Sequence, residues 1–275
     1  MLFAEIVSTL RAAGCVFAED EADLLMSAAT SPADLTAMVE QRVTGTPLEY
    51  IVGWAEFCGL RIAVDPGVFV PRRRTEFMVQ LAASLPSPRF GSWMLSVAPT
   101  TESIQDPGGA VVVDMCCGSG AVGTALNAVL GDVELYAVDI DPAAVACARR
   151  NVEPVGGHVF EGDLFEPLPA DLHGRVDIVV ANAPYVPTDA IALMPPEARL
   201  YEARVALDGG SDGLDIQRRV AAEGSRWLRP GGHLLIETSV RQAPLTAEAF
   251  AEAGLTPEVQ HSEELDGTVV IGRRP

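Results

Sequence analysis

The spacing of hydrophobic and polar positions changes twice along the chain. Over residues 1 to about 45 apolar side chains recur at helical intervals, as in MLFAEIVSTLRAAG and in DEADLLM from Asp20 to Met26. Ser31-Pro32-Ala33-Asp34 predicts a helix start, with Ser31 as N-cap and Pro32 in the first helical position. Beyond Gly45 the segments Tyr50–Trp54 and Leu60–Val64, separated by Ala55–Gly59, predict a pair of strands, and Asp65-Pro66-Gly67 a turn. Residues 84–110 are rich in Pro, Ser and Gly without periodicity and read as a surface loop.

From Ala110 short apolar runs alternate with amphipathic stretches. Strands are expected at Val111–Val113, Glu134–Val138, His158–Phe160, Val176–Val180 and Gly232–Glu237. Helices are expected from about Ala121, over Pro142–Asn151 and over Leu214–Trp227, the last leading into an Arg229-Pro230-Gly231 turn. A hairpin of Pro257–His261 with Thr268–Ile271 closes the pattern. Repeated strand–helix units of this kind imply an α/β fold whose mainly parallel sheet is covered on both faces.

Composition narrows the chemistry. The 48% apolar and 21% charged content suits a soluble globular protein. No run approaches the roughly 18 apolar residues of a membrane span, and Glu5 and Arg11 argue against a signal peptide, so a cytoplasmic location is expected. Five cysteines without a C-x-x-C pair predict packing residues in a reducing compartment, and the scattered histidines predict no metal site. All 19 basic residues are arginine, which removes Schiff-base, P-loop and general-base lysines. A net charge of −19 repels phosphate on average, so no direct nucleic-acid binding is expected and a protein partner fits the field better.

The first strand–helix turn of the alternating region is Asp114-Met115-Cys116-Cys117-Gly118-Ser119-Gly120-Ala121-Val122-Gly123. Gly118, Gly120 and Gly123 match the dinucleotide spacing G-x-G-x-x-G, which by itself also fits S-adenosylmethionine. Charge separates the two. Asp114 would repel a pyrophosphate but favours the ammonium and sulfonium of S-adenosylmethionine; capping the helix is its alternative role. Asp139, ending the second strand, can accept both ribose hydroxyls, with Ile140 against the adenine and Asp141 capping the next helix. Asp163, followed by Leu164, is either an acceptor for the adenine amino group or a turn aspartate.

The fourth strand ends in Asn182-Ala183-Pro184-Tyr185, and asparagine is scarce, with only Asn127 and Asn151 besides. The carboxyl end of a central strand is where open α/β sheets bind ligands. An amide nitrogen is a poor nucleophile because its lone pair is delocalised. Asn182 Oδ1 and a following backbone carbonyl can accept its two N–H bonds and favour the pyramidal, attacking form. Pro184 stiffens the turn, and Tyr185 offers a wall for a flat amide.

Taken together these residues resemble the HemK-type family, the protein-glutamine N-methyltransferases that modify peptide chain release factors. The resemblance runs through Thr46–Gly53, Glu56-Phe57, Pro71-Arg72 with Thr75-Glu76, Asp114–Gly120, Asp139–Pro142, Gly162–Phe165, Asn182–Tyr185, Ala206–Gly210 and Asp212–Leu214. It implies a class I S-adenosylmethionine-dependent methyltransferase domain with a Rossmann-like seven-stranded sheet over residues 75–275. Before it, over residues 1–74, it implies a small helical substrate-binding domain with a β-hairpin linker. By the same resemblance Cys116, Cys117, Gly118, Ser119 and Gly120 line the cofactor, Asp139 binds its ribose, and Asn182–Tyr185 hold the glutamine. A release factor is the leading partner and a ribosomal protein the next. The chain departs from the family at Ala183, Arg73 and Ala203, each standing where the family has proline, and in carrying Cys116-Cys117. Rival readings are a nucleic-acid amino-methyltransferase, an NAD-binding oxidoreductase and a non-catalytic cofactor-binding protein whose activity was lost with the proline at 183.

Overall fold

The computed structural model describes residues 2–86, 109–131 and 133–275. Most of the segment expected to be a surface loop lies outside these residues. Helices α1 (Phe3–Ala12), α2 (Ala18–Ala28) and α3 (Pro32–Val43) pack around Ile6, Leu10, Ala22, Leu25, Leu35 and Val39. The apolar spacing in each helix leaves one face for this core. Ser31 caps α3 as expected, its Oγ accepting from the Asp34 N–H at 3.1 Å. Arg42, near the end of α3, donates to Glu21 of α2 at 2.6 Å and to Glu197 at 2.6 Å. It therefore ties the helical layer to the helix over residues 196–201, within the sheet domain.

The expected first strand is partly a helix. Residues 48–52 form α4 (Leu48–Val52), and strand β1 (Trp54–Phe57) begins only at Trp54. Gly53, at φ +82°, terminates the helix in a left-handed cap. Leu48, Ile51 and Val52 thereby pack on the helical core while Tyr50 faces a separate cluster. Strand β2 (Leu60–Ala63) pairs antiparallel with β1. Their two-residue turn has Cys58 at φ +51° and Gly59 at φ +74°, the left-handed pair that a tight hairpin needs. A 3-10 turn at Arg73–Thr75 leads into α5 (Glu76–Ser84), whose Met78, Val79 and Ala82 cover one face of the main sheet.

That sheet follows the predicted alternation. The elements are β3 (Ala110–Met115), α6 (Ala121–Leu130), β4 (Val133–Asp139), α7 (Pro142–Val152), β5 (His158–Glu161), β6 (Val176–Ala181), α8 (Pro196–Tyr201), α9 (Asp215–Trp227), β7 (Leu228–Thr238), α10 (Ala243–Glu252), β8 (Thr256–Ser262) and β9 (Gly267–Arg273). Strand order is β5-β4-β3-β6-β7-β9-β8, with β9 antiparallel to both its neighbours. Along β3 the side chains of Val111, Val113 and Met115 enter one core and that of Val112 the other, as a strand buried on both faces requires. The expected Arg229-Pro230-Gly231 turn is absorbed into β7 as an irregularity, where the register passes from Val176↔Leu228 to Ile178↔His233. Chain direction across the sheet switches between β3 and β6. The crevice of an open α/β sheet forms at such a point, beyond the carboxyl ends of the strands.

Candidate active site

A cavity of about 590 Å³ occupies this crevice. The loop after β3 supplies its floor. Cys116 (φ +55°) is a non-glycine residue in the left-handed region, and Gly118 follows at the same φ. Such a conformation costs about 1–3 kcal/mol for a side-chain-bearing residue and persists only where the surroundings enforce it. Here the Cys117 N–H donates to the Val138 carbonyl at 3.0 Å and the Gly118 N–H to Asp139 Oδ2 at 2.8 Å. The loop is thus pinned to the end of β4.

Asp114, Cys116, Cys117, Gly118 and Ser119 line the cavity, as do Asp139, Ile140, Asp163, Leu164 and all four residues Asn182–Tyr185. Gly120 is not among the lining residues. It sits at φ +75° before α6, and a Cβ there would lie 2.6 Å from Val152 and 3.3 Å from Ala148. Its role is to let α6 approach α7.

Asp114 is buried, and its Oδ2 accepts from the Gly123 N–H at 2.8 Å in the first turn of α6. The capping role considered for it is therefore present, and the same carboxyl also faces the cavity. Burial pushes its carboxyl up to about 8, with the neighbouring charge of Asp139 adding to the effect. One backbone hydrogen bond to a charged group contributes about 1.5–3 kcal/mol, less than the several kcal/mol needed to desolvate a carboxylate, so the neutral form prevails at pH 7.

Asp139 accepts from Gly118 and, through Oδ1, from the Asp141 N–H at 3.0 Å. Burial raises its carboxyl as well. Asp141 caps α7 through the Ala143 N–H at 2.9 Å, as expected. Ile140 is 53% exposed although it lies in the cavity wall, leaving an apolar surface for a flat ring. Asp163 pairs with Arg219 at 2.9 Å. Arg72, Arg74 and Arg204 of the wall likewise pair with Glu202, Glu237 and Asp208. The arginines are thus neutralised, while Asp139 and Asp141 make the β3–β4 end acidic and Asp114 adds a charge only when it ionises. An acidic and apolar pocket of this kind suits a cationic sulfonium cofactor with an adenine ring and disfavours a pyrophosphate.

The tetrapeptide faces this loop from the end of β6. Asn182 is half-buried, and its Nδ2 donates to Thr75 Oγ1 at 3.4 Å. Ala183 is buried. The Tyr185 hydroxyl donates to Glu237 Oε1 at 3.3 Å, and burial together with that carboxylate pushes its phenol up to about 12. Backbone bonds from Val186 N–H to Leu207 O at 3.0 Å and from Gly209 N–H to Val186 O at 2.9 Å join the following chain to the 207–213 loop. Gln242 Nε2 donates to Tyr185 O at 2.9 Å and to Asp212 O at 3.0 Å.

Several of these supports were not assigned roles from sequence. Glu237 was legible in principle, because it ends an expected strand at the ligand-binding edge. Thr75 belongs to a stretch that carries the family resemblance and Glu202 stands beside the departure at Ala203, without anything in their spacing to show what they touch. Gln242 gives no signal at all. Asn151 is similar: its Oδ1 accepts from the Ala63 N–H at 2.9 Å and its Nδ2 donates to Ser119 O at 2.8 Å, so it joins β2 to the glycine-rich loop. Among the described residues no cluster of side chains could hold a metal ion and no helix is long and apolar enough to cross a membrane.

Comparison with known proteins agrees with this geometry. The family profile described as methyltransferase small domain matches residues 99–212. The release factor glutamine methyltransferase of Geobacter sulfurreducens is 38% identical over 229 residues, covering 82% of this chain and 72% of that protein. The protein of the same name from Gloeobacter violaceus is 36% identical over 222 residues, covering 79% and 70%. A crystal structure of a methyltransferase from Pyrococcus furiosus shares the fold, with a TM-score of 0.54 at 15% identity over 78% of this chain and 89% of that one. With a seven-stranded sheet of this order and relatives this close over most of its length, the chain is an S-adenosylmethionine-dependent methyltransferase and belongs to the release factor glutamine methyltransferase family.

Proposed function

We propose that the protein methylates the side-chain amide of the glutamine in the Gly-Gly-Gln loop of a peptide chain release factor. The carrying observation is that Asn182–Tyr185 and the Cys116–Ser119 loop line one cavity, so that acceptor amide and methyl donor can meet there. When bound, S-adenosylmethionine supplies a methyl group on a positively charged sulfur. In this reading Asp139 receives the ribose hydroxyls, Ile140 and Leu164 flank the adenine, and Asp163 lies near its amino group. Asp114 faces the cationic methionine end, next to Cys116–Ser119. Asn182 Oδ1 and the Ala183 carbonyl accept the two N–H bonds of the glutamine amide, and the Tyr185 ring confines it. Ala183 keeps the carbonyl that proline would offer at that position, so its substitution leaves the acceptor pair intact. Residues 1–74 hold the protein substrate and residues 75–275 carry out the transfer, in the cytoplasm where translation ends.

Incubation with labelled S-adenosylmethionine and a release factor, followed by mass spectrometry, places the methyl on the Gly-Gly-Gln glutamine. Changing that glutamine abolishes labelling, and Ala183→Pro is at least as active as the natural chain. Labelling of a ribosomal protein or a nucleic acid in place of the release factor refutes the assignment.

The state of Asp114 gives a pH signature. Its carboxyl lies at about 8 in the folded chain against 3.8 for the ordinary group. Between these values the folded state holds a proton that the unfolded state has lost, so its contribution to stability falls as pH rises through that window. A cation bound beside it favours the ionised form. Cofactor affinity relative to Asp114→Asn is therefore expected to rise about tenfold from pH 6.5 to 8.5. Calorimetric titration of both proteins checks this, since the ratio cancels the titration of the cofactor itself. A flat ratio removes Asp114 from the cationic end of the site.

A further inference from the structure

The tetrapeptide is held from two sides by different parts of the chain. The 207–213 loop and Gln242 hold its backbone. Its two functional side chains are held by consecutive residues of the short segment joining the hairpin to α5. Thr75 Oγ1 accepts from Asn182 Nδ2 at 3.4 Å. Arg74 Nε donates at 3.3 Å to Glu237 Oε1, the oxygen that also accepts from the Tyr185 hydroxyl.

Thr75 stands directly before α5, where a threonine ordinarily accepts a hydrogen bond from a backbone N–H of the first turn. Here its backbone is already helical, at φ −70° and ψ −19°, and its side chain makes no capping bond. It is only 2% exposed, and the hydroxyl is turned to Asn182. The Asn182 amide has two ends of nearly equal shape and opposite hydrogen-bonding character. With Nδ2 donating to Thr75, Oδ1 is the end of the amide left for the substrate. A rotated amide would present N–H to the N–H of the substrate.

We propose that Thr75 is a positioning residue that holds the Asn182 amide with Nδ2 outward and Oδ1 toward the acceptor glutamine. The inference rests on the glutamine-methylation reading for its effect on rate, while the contact itself can be tested without turnover. Arg74 does the corresponding work for Tyr185 through Glu237. Hairpin-side residues thus set the side chains while the sheet domain sets the backbone.

The test uses the full chain with S-adenosylmethionine and a full-length release factor. Thr75→Val preserves shape and removes the hydroxyl, Thr75→Ala removes it without a branched substitute, and Thr75→Ser keeps it. Thr75→Val and Thr75→Ala are expected to lower kcat about tenfold or more, with KM and the calorimetric cofactor Kd changed less than about threefold. Thr75→Ser is expected to recover kcat to within about threefold of the natural chain. The side-chain amide ¹⁵N–¹H pair of Asn182, one of three asparagines and identified by its loss in Asn182→Ala, is expected to shift in Val and Ala and to stay in Ser. An unmoved Asn182 signal, an unchanged kcat in Val and Ala, or a failure of Ser to restore the rate overturns the proposal. If the natural chain transfers no methyl to glutamine, the methylation reading falls, and the Asn182 signal still decides whether Thr75 orients the amide.

Discussion

Asn182→Ala is expected to lower methyl transfer by about 10²–10³ while leaving cofactor affinity within about threefold. The substitution removes the amide acceptor of the tetrapeptide and leaves the glycine-rich loop untouched. Asn182 is half-buried and makes a single long bond of 3.4 Å within the chain, so its loss costs little stability. Rate and stability should therefore separate, which single-turnover kinetics and thermal melting of the same preparation will show. A variant retaining more than a third of the natural rate would mean that amide activation comes from elsewhere in the cavity. The comparison with Asn182→Asp is informative, because a carboxylate still accepts hydrogen bonds but introduces a charge beside the methyl donor.

Gly213→Ala is expected to be as damaging to turnover and much more damaging to the fold. A Cβ at Gly213 would lie 2.3 Å from the Tyr185 carbonyl oxygen and 2.4 Å from Gln242 Nε2, and the backbone there is at φ +79°. Left-handed strain of about 1–3 kcal/mol and overpacking of about 1–3 kcal/mol point the same way. At roughly 2–4 °C per kcal/mol for a chain of this size, the melting point should fall by about 4–24 °C. The Tyr185 carbonyl must also move, and with it the tetrapeptide, so kcat should drop by about 10²-fold even below the melting point. Gly254→Ala is the control. It has the same φ of +79° but nothing within 4 Å of the added carbon, so it carries the strain without the collision. If the two variants melt together, close packing on the tetrapeptide is not what glycine serves at position 213.

The alternating pattern from Ala110 onward placed the strands of the main sheet within one or two residues of where they lie, except for β7, which begins four residues early because it absorbs the turn at Gly231. Buried parallel strands advertise themselves by short apolar runs, and glycine-rich turns mark their ends. The hairpin was legible less accurately. Tyr50–Val52 has strand-like composition, but Pro47 and Gly53 bracket a single helical turn there, and tertiary packing of Ile51 and Val52 on the helical core decides the matter. Helices α5, α8 and α10 had no expected counterpart, since their apolar faces are short and interrupted.

The site shows the same division. Asp139, Asn182 and the Cys116–Ser119 loop could be placed at one cavity from sequence because each ends or follows a strand, and ligands of an α/β sheet collect at those ends. Position along one strand is a local property, and so is the residue type that a donor or acceptor demands. What holds these groups was beyond sequence reading. Thr75 meets Asn182 across 107 positions and Gln242 meets Tyr185 across 57, and only the folded chain brings them together. The state of Asp114 is likewise tertiary. Its identity was evident, but whether it carries a charge depends on how completely β3, α6 and Asp139 remove it from water. Sequence by itself determined the strands, the glycine-rich loop after β3 and the asparagine at the end of β6, because these depend on neighbours in the chain. The tertiary structure alone decided orientation, protonation and close approach, because those depend on atoms that are distant in sequence and adjacent in space.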